Sequence, residues 1–515
     1  SRRDDGAQYG QSQHTLNGYS FLEKRDNIVK KPIVWTIAGS DPGGAAGIQA
    51  DIKTFQALGV HGCSVVTALT AQNSYQCLEV ALSSVAMVEK QMDVLKNDLQ
   101  AKAIKLGMLG SIEVMQAVSS FIKTYDGYIV CDPVMISSSG GLLMQENAKS
   151  YFIKEIIPHV DVLTPNLDEV KYLLNRDFNI EDAAHELLNL GAKNVFIKGG
   201  HGTGNFCQDY WSNGEKSAWL TMERRSNLNN HGSGCTLSAA ITAAIALNYD
   251  LLDALVIAKA YVSQGIRTAH QYGRGPGPIA HGSWPMLQED LPWMTTTAEE
   301  GIHRPLFKRC TVDDLGFYLV VDSLAWLEKL LPVGVKTVQL RIKNKQGKAL
   351  EEEIKNSILL AKKYNAKLFI NDYWELALAH QAYGVHLGQE DISSADFEKL
   401  EKSGIRLGIS THCYYEVARA HALQPSYIAC GPVFPTTSKI MPFAPQGIKN
   451  LRYWRALLDY PLVAIGGITL DNLTDVLACN VEGIALISAV LHDPYPEQAA
   501  QNFLKMCERH TKECI

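Results

Sequence analysis

Eight short β-like runs near the C-terminal end, each running out into polar residues, constrain the fold more than any other feature. They are FYLVVD (317–322), TVQLRIK (337–343), KLFIND (367–372), GVHLG (384–388), RLGIST (406–411), YIACGPVF (427–434), LVAIGGI (462–468) and GIALISAV (483–490). Stretches with helical spacing, such as EEEIKNSILLAKKY and NLTDVLACN, separate them. Parallel strands need long crossovers, and helices supply them, so this alternation predicts a TIM (β/α)8 barrel. Chemistry in such a barrel sits where strands end and loops begin. Gln339, Arg341, Lys343, Asn371, Asp372, Asp391, Ser410, the run Thr436, Thr437, Ser438 and Lys439, and Gly466 with Gly467 all fall at those ends.

A barrel of this size leaves most of the chain unexplained. At 515 residues and 46% hydrophobic content, the length alone suggests about two to four domains. The net charge of −6 comes without a long basic block or an arginine–aromatic stripe, which argues against nucleic acid as a partner. Eleven cysteines, an odd number with no CxxC pair, fit reduced thiols in the cytoplasm better than a disulfide framework. The run LSAAITAAIAL (237–247) is too short to span a bilayer and reads as a buried helix, so no membrane partner is expected.

Residues 1–30 are polar and aperiodic, as in a disordered arm. Order is expected from IVWTIAGSDPGGAAGIQADIKTFQALG, which reads as strand, Gly-rich turn and helix. Alternation continues through CSVVTALTAQN, IKLGMLG, YIVCDPVM, VDVLTPN and NVFIKGGHGTG, and ends in a long helix after HGSGC. This predicts an open, doubly wound α/β domain over 31–275. A Pro- and Gly-rich stretch, 276–309, reads as a linker to the barrel domain, 310–515, and suggests that the two halves separate there.

Within the first domain, HGSGC opens directly into a helix. Gly232, Ser233 and Gly234 would aim backbone N–H groups and the helix dipole at an anion such as a transferring phosphoryl group. Cys235, in the first helical turn, is expected to have a lowered pKa and to help deprotonate or orient a hydroxyl. Asn166 and Glu169 in TPNLDE, with Asp132 in CDPVM, offer ligands toward a hydrated Mg2+ on nucleotide phosphates, and Lys198 in FIKGGHG offers a phosphate partner. Taken singly, each has a plainer explanation: a tight turn, a helix cap, a solvated helix residue, a turn-forming Asp before Pro. Together they are what an ATP-dependent phosphotransferase needs.

The motifs AGSDPGGAAGIQADIKTFQALG, TALTAQN, KLGMLG, CDPVM, TPNLDE, KGGH and HGSGCTLSAA, in this order, resemble hydroxymethylpyrimidine/phosphomethylpyrimidine kinases of thiamine biosynthesis, members of the ribokinase-like superfamily. The resemblance implies that Gly39, Asp51, Gln72, Met108 and Val134 line a pyrimidine pocket. It also implies ATP as phosphoryl donor. Three departures stand out: no Ser in DPGGAAG, Ser233 where Thr is common, and Ser138 where a Lys often follows DPVM.

In the barrel, Asp372 and Asp391 follow neighbouring strands and could share one Mg2+, while Arg341 and Lys343 would supply charge to phosphate oxygens. An Arg341–Asp372 ion pair of purely structural value is the plainer alternative. QLRIK, FIND, GVHLGQED, GISTH, GPVFPTTSK, MPFAPQG, AIGGI and ISAV resemble thiamine-phosphate synthase. That resemblance implies that hydroxymethylpyrimidine diphosphate and thiazole phosphate condense to thiamine phosphate and pyrophosphate. Gln339, Arg341, Lys343 and Asn371 would contact the pyrimidine diphosphate, and Asp372 with Asp391 would hold Mg2+. Ser410 would support the pyrimidine, Thr436, Thr437, Ser438 and Lys439 would face the phosphates, and Gly467, Ile487 and Ser488 would bind the thiazole phosphate.

The product implied for the first half is a substrate of the second, so the expectation is one bifunctional enzyme, self-associating and acting on small molecules. The alternatives are a pyrimidine or pyridoxal-type kinase carrying a non-catalytic barrel that senses phosphorylated ligands.

Overall fold

The computed structural model describes residues 30–135, 146–200, 204–298, 304–436 and 444–513. The expected arm up to residue 29, Ser138, and Thr437, Ser438 and Lys439 lie outside the described residues.

In the N-terminal half the strands are β1 (Ile33–Ser40), β2 (His61–Gln72), β3 (Cys77–Leu82), β4 (Ala103–Leu106) and β5 (Tyr128–Cys131). They continue as β6 (Val162–Leu163), β7 (Val195–Ile197), β8 (Phe206–Ser212), β9 (Ser217–Glu223) and β10 (Trp293–Thr295). All join one sheet in the order β10-β9-β8-β7-β6-β5-β4-β1-β2-β3. The middle, β2 through β7, is parallel, and both margins are antiparallel. The parallel strands are almost wholly apolar because helices cover both faces. In β1, Val34 joins one core cluster while Trp35 and Ile37 join the other. The helix Ser233–Ala246 packs its alanines, buried almost throughout, against β4 and β5. This is the expected doubly wound sheet with one addition. The strand–helix alternation does not anticipate the β8–β9 hairpin, although Asn213-Gly214, with Gly214 at φ +89°, is a strong hairpin signal.

The C-terminal strands are β11 (Gly316–Val321), β12 (Thr337–Leu340), β13 (Lys367–Asn371) and β14 (Gly384–Leu387). They close into a parallel barrel with β15 (Arg406–Thr411), β16 (Tyr427–Cys430), β17 (Leu462–Ile465) and β18 (Gly483–Leu486). All eight expected strands are present. Most stop short of the predicted end because the ladder gives way where the polar loop begins. Inside the barrel Tyr318, Val320, Phe369, Tyr427, Val463 and Ala485 pack together.

The predicted linker is not a free connector. β10 pairs with β9, and Trp284, Leu291, Trp293 and Met294 are buried. The Arg304 guanidinium lies 4.0 Å from the Trp293 ring centroid and donates to the His421 carbonyl at 2.7 Å. Phe307 N–H and Arg309 continue along the barrel, donating to the Gln424 and Pro425 carbonyls. These residues pack one at a time, so their burial leaves no periodic trace among the prolines and glycines. Among the described residues, no helix is long and apolar enough to cross a membrane.

Candidate active sites

The strand order reverses beside β1, whose neighbours are β2 and β4, and a crevice opens at the carboxyl ends of an open sheet at such a point. A cavity of about 1050 Å³ lies there. Gly39, Gln72, Met108 and Val134, four of the residues expected to share a pocket, line it. A Cβ on Gly39 would stand 3.2 Å from the Met108 sulfur, so these two form one wall. Asp51 departs from the expectation: it is fully buried behind that wall. Its carboxylate accepts from Thr36 Oγ1 at 2.6 Å and from Lys105 Nζ at 2.9 Å, and Lys105 is the residue that reaches the cavity. Burial opposes the Lys105 charge, yet the Asp51 carboxylate holds its pKa above the usual range.

The anion turn borders the same cavity. Gly232 is the N-cap of the Ser233–Ala246 helix at φ +82°. A Cβ there would sit 1.7 Å from the Ala45 carbonyl oxygen, which restricts the position to glycine. Lys198 projects over Gly234, pairs with Asp132 at 2.6 Å and lies 3.9 Å from Glu169. Asn166 and Glu169 form a capping box at the start of the helix Leu167–Leu174, with bonds of 2.7 and 2.8 Å. Both nevertheless face the cavity. Burial, together with the Asp132 charge and against that of Lys198, pushes the Glu169 carboxyl up to about 7.

Cys235 also faces the cavity, but the expected thiolate is corrected. Burial pushes its thiol up to about 11, because desolvation outweighs the nearby Lys105 charge and the Gly47 backbone N–H. At neutral pH it is a thiol.

In the barrel, side chains from successive strand ends meet at one mouth. Gln339 is buried and donates to Tyr318 Oη at 3.3 Å. Arg341 and Lys343 lie just beyond β12, and it is Lys343, rather than Arg341, that pairs with Asp372. Buried Asn371 ends β13. Asp372 then adopts φ +66°, a left-handed conformation that Asp tolerates better than most residues. Asp391 accepts from Gly388 N–H at 3.1 Å and lies within hydrogen-bonding reach of Asp372. Burial and the Asp372 charge push its carboxyl above the ordinary range. Two carboxylates so close repel unless a proton or a cation lies between them, so their chemistry fits a divalent metal. Among the described residues no group of three or more His, Cys, Asp or Glu side chains is gathered for a metal.

Ser410 Oγ lies 2.8 Å from His386 Nε2, and His386 Nδ1 lies 2.7 Å from Tyr427 Oη, itself 2.7 Å from Tyr318 Oη. Burial lowers the His386 pKa to about 4, with Asp372 pulling up and Arg341 down. The imidazole is therefore neutral and links Ser410 to Gln339 through the two tyrosines. Thr436 lies beyond β16. Gly467, at φ +64°, follows β17, and Ile487 and Ser488 follow the adjacent β18.

Several members of these sites were missed from sequence. Lys105 and His386 each interrupt an otherwise apolar strand, a signal that was available in IKLG and GVHLG. His231, whose Nε2 is 3.5 Å from Gln72 Nε2, carried no signal beyond its place before the glycine turn. Asp41, which accepts from the Gly43, Ala45 and Ala46 amides, organises the DPGGAAG turn.

The family model described as phosphomethylpyrimidine kinase matches residues 41–280, and that described as thiamine monophosphate synthase matches residues 317–490. A thiamine-phosphate synthase of Proteus mirabilis is 52% identical over 199 residues, which cover 38% of this chain and 93% of that protein. A probable chloroplastic thiamine biosynthetic bifunctional enzyme of Oryza sativa subsp. japonica is 32% identical over 486 residues, covering 90% of this chain and 86% of the plant protein. With both site geometries in one polypeptide and a two-domain relative matched along nearly its whole length, the chain belongs to the bifunctional thiamine biosynthesis enzymes, which join a phosphomethylpyrimidine kinase domain to a thiamine-phosphate synthase domain.

Proposed function

We propose that the N-terminal domain, about residues 31–275 with β10 added, phosphorylates hydroxymethylpyrimidine twice from MgATP, and that the barrel condenses the resulting diphosphate with thiazole phosphate. The observation that carries this reading is the cavity that holds the Gly39–Met108 wall at one part and the glycine turn with Lys198 at another. An alcohol bound against the first would share this cavity with a phosphoryl group bound at the second. Phosphoryl transfer needs mainly positioning and charge stabilisation, and proton loss from the alcohol comes late in a loose transition state. A protonated Cys235 therefore suits orientation of the acceptor oxygen, while Gly232, Ser233, Gly234 and Lys198 receive the transferring charge. Asp132, Asn166 and Glu169 are suited to hold hydrated Mg2+ of the nucleotide.

In the barrel, Gln339, Asn371 and Ser410 would hold the pyrimidine edge, since amide and hydroxyl groups can both donate and accept. Asp372 and Asp391 would hold Mg2+, which when bound supplies positive charge to the diphosphate. Arg341 and Lys343, with Thr436, Thr437, Ser438 and Lys439, would stabilise pyrophosphate as it departs. The pyrimidine-stabilised cation left behind is captured by the thiazole nitrogen, with the thiazole phosphate at Gly467, Ile487 and Ser488. Self-association fits an apolar edge on β3, where Leu78 and Leu82 are 74% and 47% exposed. A reducing compartment such as the cytoplasm fits buried thiols such as Cys63, Cys131 and Cys430, which form no disulfide.

The test is a one-pot incubation with hydroxymethylpyrimidine, thiazole phosphate and MgATP, followed by mass spectrometry. Thiamine phosphate is the expected product. Pyrimidine diphosphate accumulating without thiamine phosphate would remove the barrel from catalysis.

A further inference from the structure

One contact runs from the kinase domain into the synthase mouth. The helix Tyr414–Leu423 follows β15, so its N-terminus opens where barrel chemistry is done. The first amides of a helix need an acceptor, usually a Ser, Thr, Asp or Asn side chain at the N-cap. Here the N-cap is Cys413, in extended backbone, whose sulfur is at best a weak acceptor. The acceptor comes from the other domain. Asp253, in the first turn of the kinase helix Leu251–Arg267, accepts from the Tyr415 amide at 2.7 Å, and the Cys413 thiol donates to the same carboxylate. The seat is closed: Asp253 is 9% and Tyr414 3% exposed. The Tyr414 hydroxyl accepts from Trp284 Nε1 at 2.9 Å, and its ring packs on Trp454.

The turn held in this way directly follows Ser410 at the end of β15. The Ser410 carbonyl accepts from Gln389 Nε2 at 2.8 Å, and the His412 carbonyl accepts from Gln446 Nε2 at 2.7 Å. Glu416, at N3 of the helix, reaches back to accept from His412 N–H at 2.7 Å. Glu416 thus holds the amide just before the N-cap, and Asp253 holds the amide at N2 from across the domain boundary.

We propose that Asp253 is a positioning residue for the synthase reaction: a kinase-domain carboxylate that caps the barrel helix Tyr414–Leu423 and so fixes the turn that directly follows Ser410, the strand residue that would meet the pyrimidine. The inference rests on the synthase reading given above for Ser410. It gives the fusion a physical role beyond tethering. The kinase helix that begins at this cap also lines the kinase cavity through Lys259, Val262, Ser263 and Ile266, so the same helix borders the kinase cavity and caps a barrel helix.

The test uses the full-length protein with the two reactions assayed separately, the synthase supplied directly with hydroxymethylpyrimidine diphosphate and thiazole phosphate. Asp253→Ala is expected to raise the synthase KM for the pyrimidine diphosphate on the order of fivefold, the ratio equivalent to one N-cap of about 1 kcal/mol, with kinase turnover unchanged. Asp253→Asn keeps an acceptor oxygen for Tyr415 and should stay near wild type. Adding Cys413→Ser to Asp253→Ala gives the helix an acceptor of its own and should restore KM, which a loss of interface packing alone would not allow. An unchanged KM in Asp253→Ala would overturn the proposal, as would equal damage to both reactions that Cys413→Ser does not repair. Ser410→Ala separates this from the site reading. If it is silent while Asp253→Ala is impaired and rescued, Ser410 loses its role and the cap stands.

Discussion

Replacing Asp51 with Asn tests how the kinase cavity is held together. Lys105 and Asp51 are both fully buried and pair at 2.9 Å. Without the carboxylate, Lys105 has two options. It can keep its charge unpaired in the core, and breaking a buried pair from one side costs about 3–5 kcal/mol. It can instead give up its proton, and from an ordinary lysine pKa of about 10.4 this costs about 5 kcal/mol at pH 7. Both routes lead to the same range. At about 2–4 °C per kcal/mol for a unit of 150–250 residues, the melting temperature should fall by about 6–20 °C. The assay is scanning calorimetry beside kinase turnover, on Asp51→Asn and on the double variant Asp51→Leu with Lys105→Met. Removing both charges leaves no orphan, so the double variant should regain most of the lost stability. Its kinase turnover should be impaired, because Lys105 is the partner that lines the cavity. A loss below about 1 kcal/mol in Asp51→Asn, or a double variant less stable than the single one, would refute the buried-pair argument.

Other outcomes follow from the same geometry. Cys235→Ala should depress kinase turnover well beyond any change in pyrimidine affinity, measured by steady-state kinetics; unchanged turnover removes Cys235 from the reaction. Asp391→Ala should abolish thiamine phosphate formation while pyrimidine diphosphate accumulates, whereas a merely structural Asp391 would cost on the order of 1 kcal/mol and leave a working barrel. Glu169, raised from 4.5 to about 7 when folded, favours the folded state most below pH 4.5, and that contribution fades as pH rises through 7. Glu169→Gln should flatten this part of the stability–pH curve, as read by melts across that range. Fragments cut near residue 300 would strip Trp284 and Trp293 from their packing against the barrel, so dye-binding apolar surface is expected on the separated pieces, and two clean, active fragments would contradict it.

Much of both folds could be read from local pattern. Period and length of the apolar runs distinguish strands from helices, and strand ends in a barrel or open sheet converge by topology. Gln339, Asn371, Asp372, Asp391 and Ser410 were therefore legible as one group before any contact was known. Polar residues inside apolar strands were harder to place. Lys105 and His386 look like breaks in a pattern until the partners that justify their burial, Asp51 and Ser410 with Tyr427, are brought to them by the fold. Protonation was less legible still. A helix N-terminus argues for a thiolate at Cys235, and only the depth of the site shows that desolvation prevails.

By itself the sequence determined two α/β units, the turn chemistry of HGSGC and DPGGAAG, and the residue types gathered at each mouth, because these depend on spacing along the chain. Tertiary structure decided which of those residues reach a cavity. It moved Asp51 behind the wall and brought Lys105 forward, paired Lys343 with Asp372, and built residues 276–298 and 304–309 into a packed seam between the domains. It also assigned the Tyr414–Leu423 helix a cap from a residue more than 150 positions away in the chain. Local propensity acts over a few residues, whereas burial, charge pairing and capping are settled by whichever distant group the fold delivers to the same place.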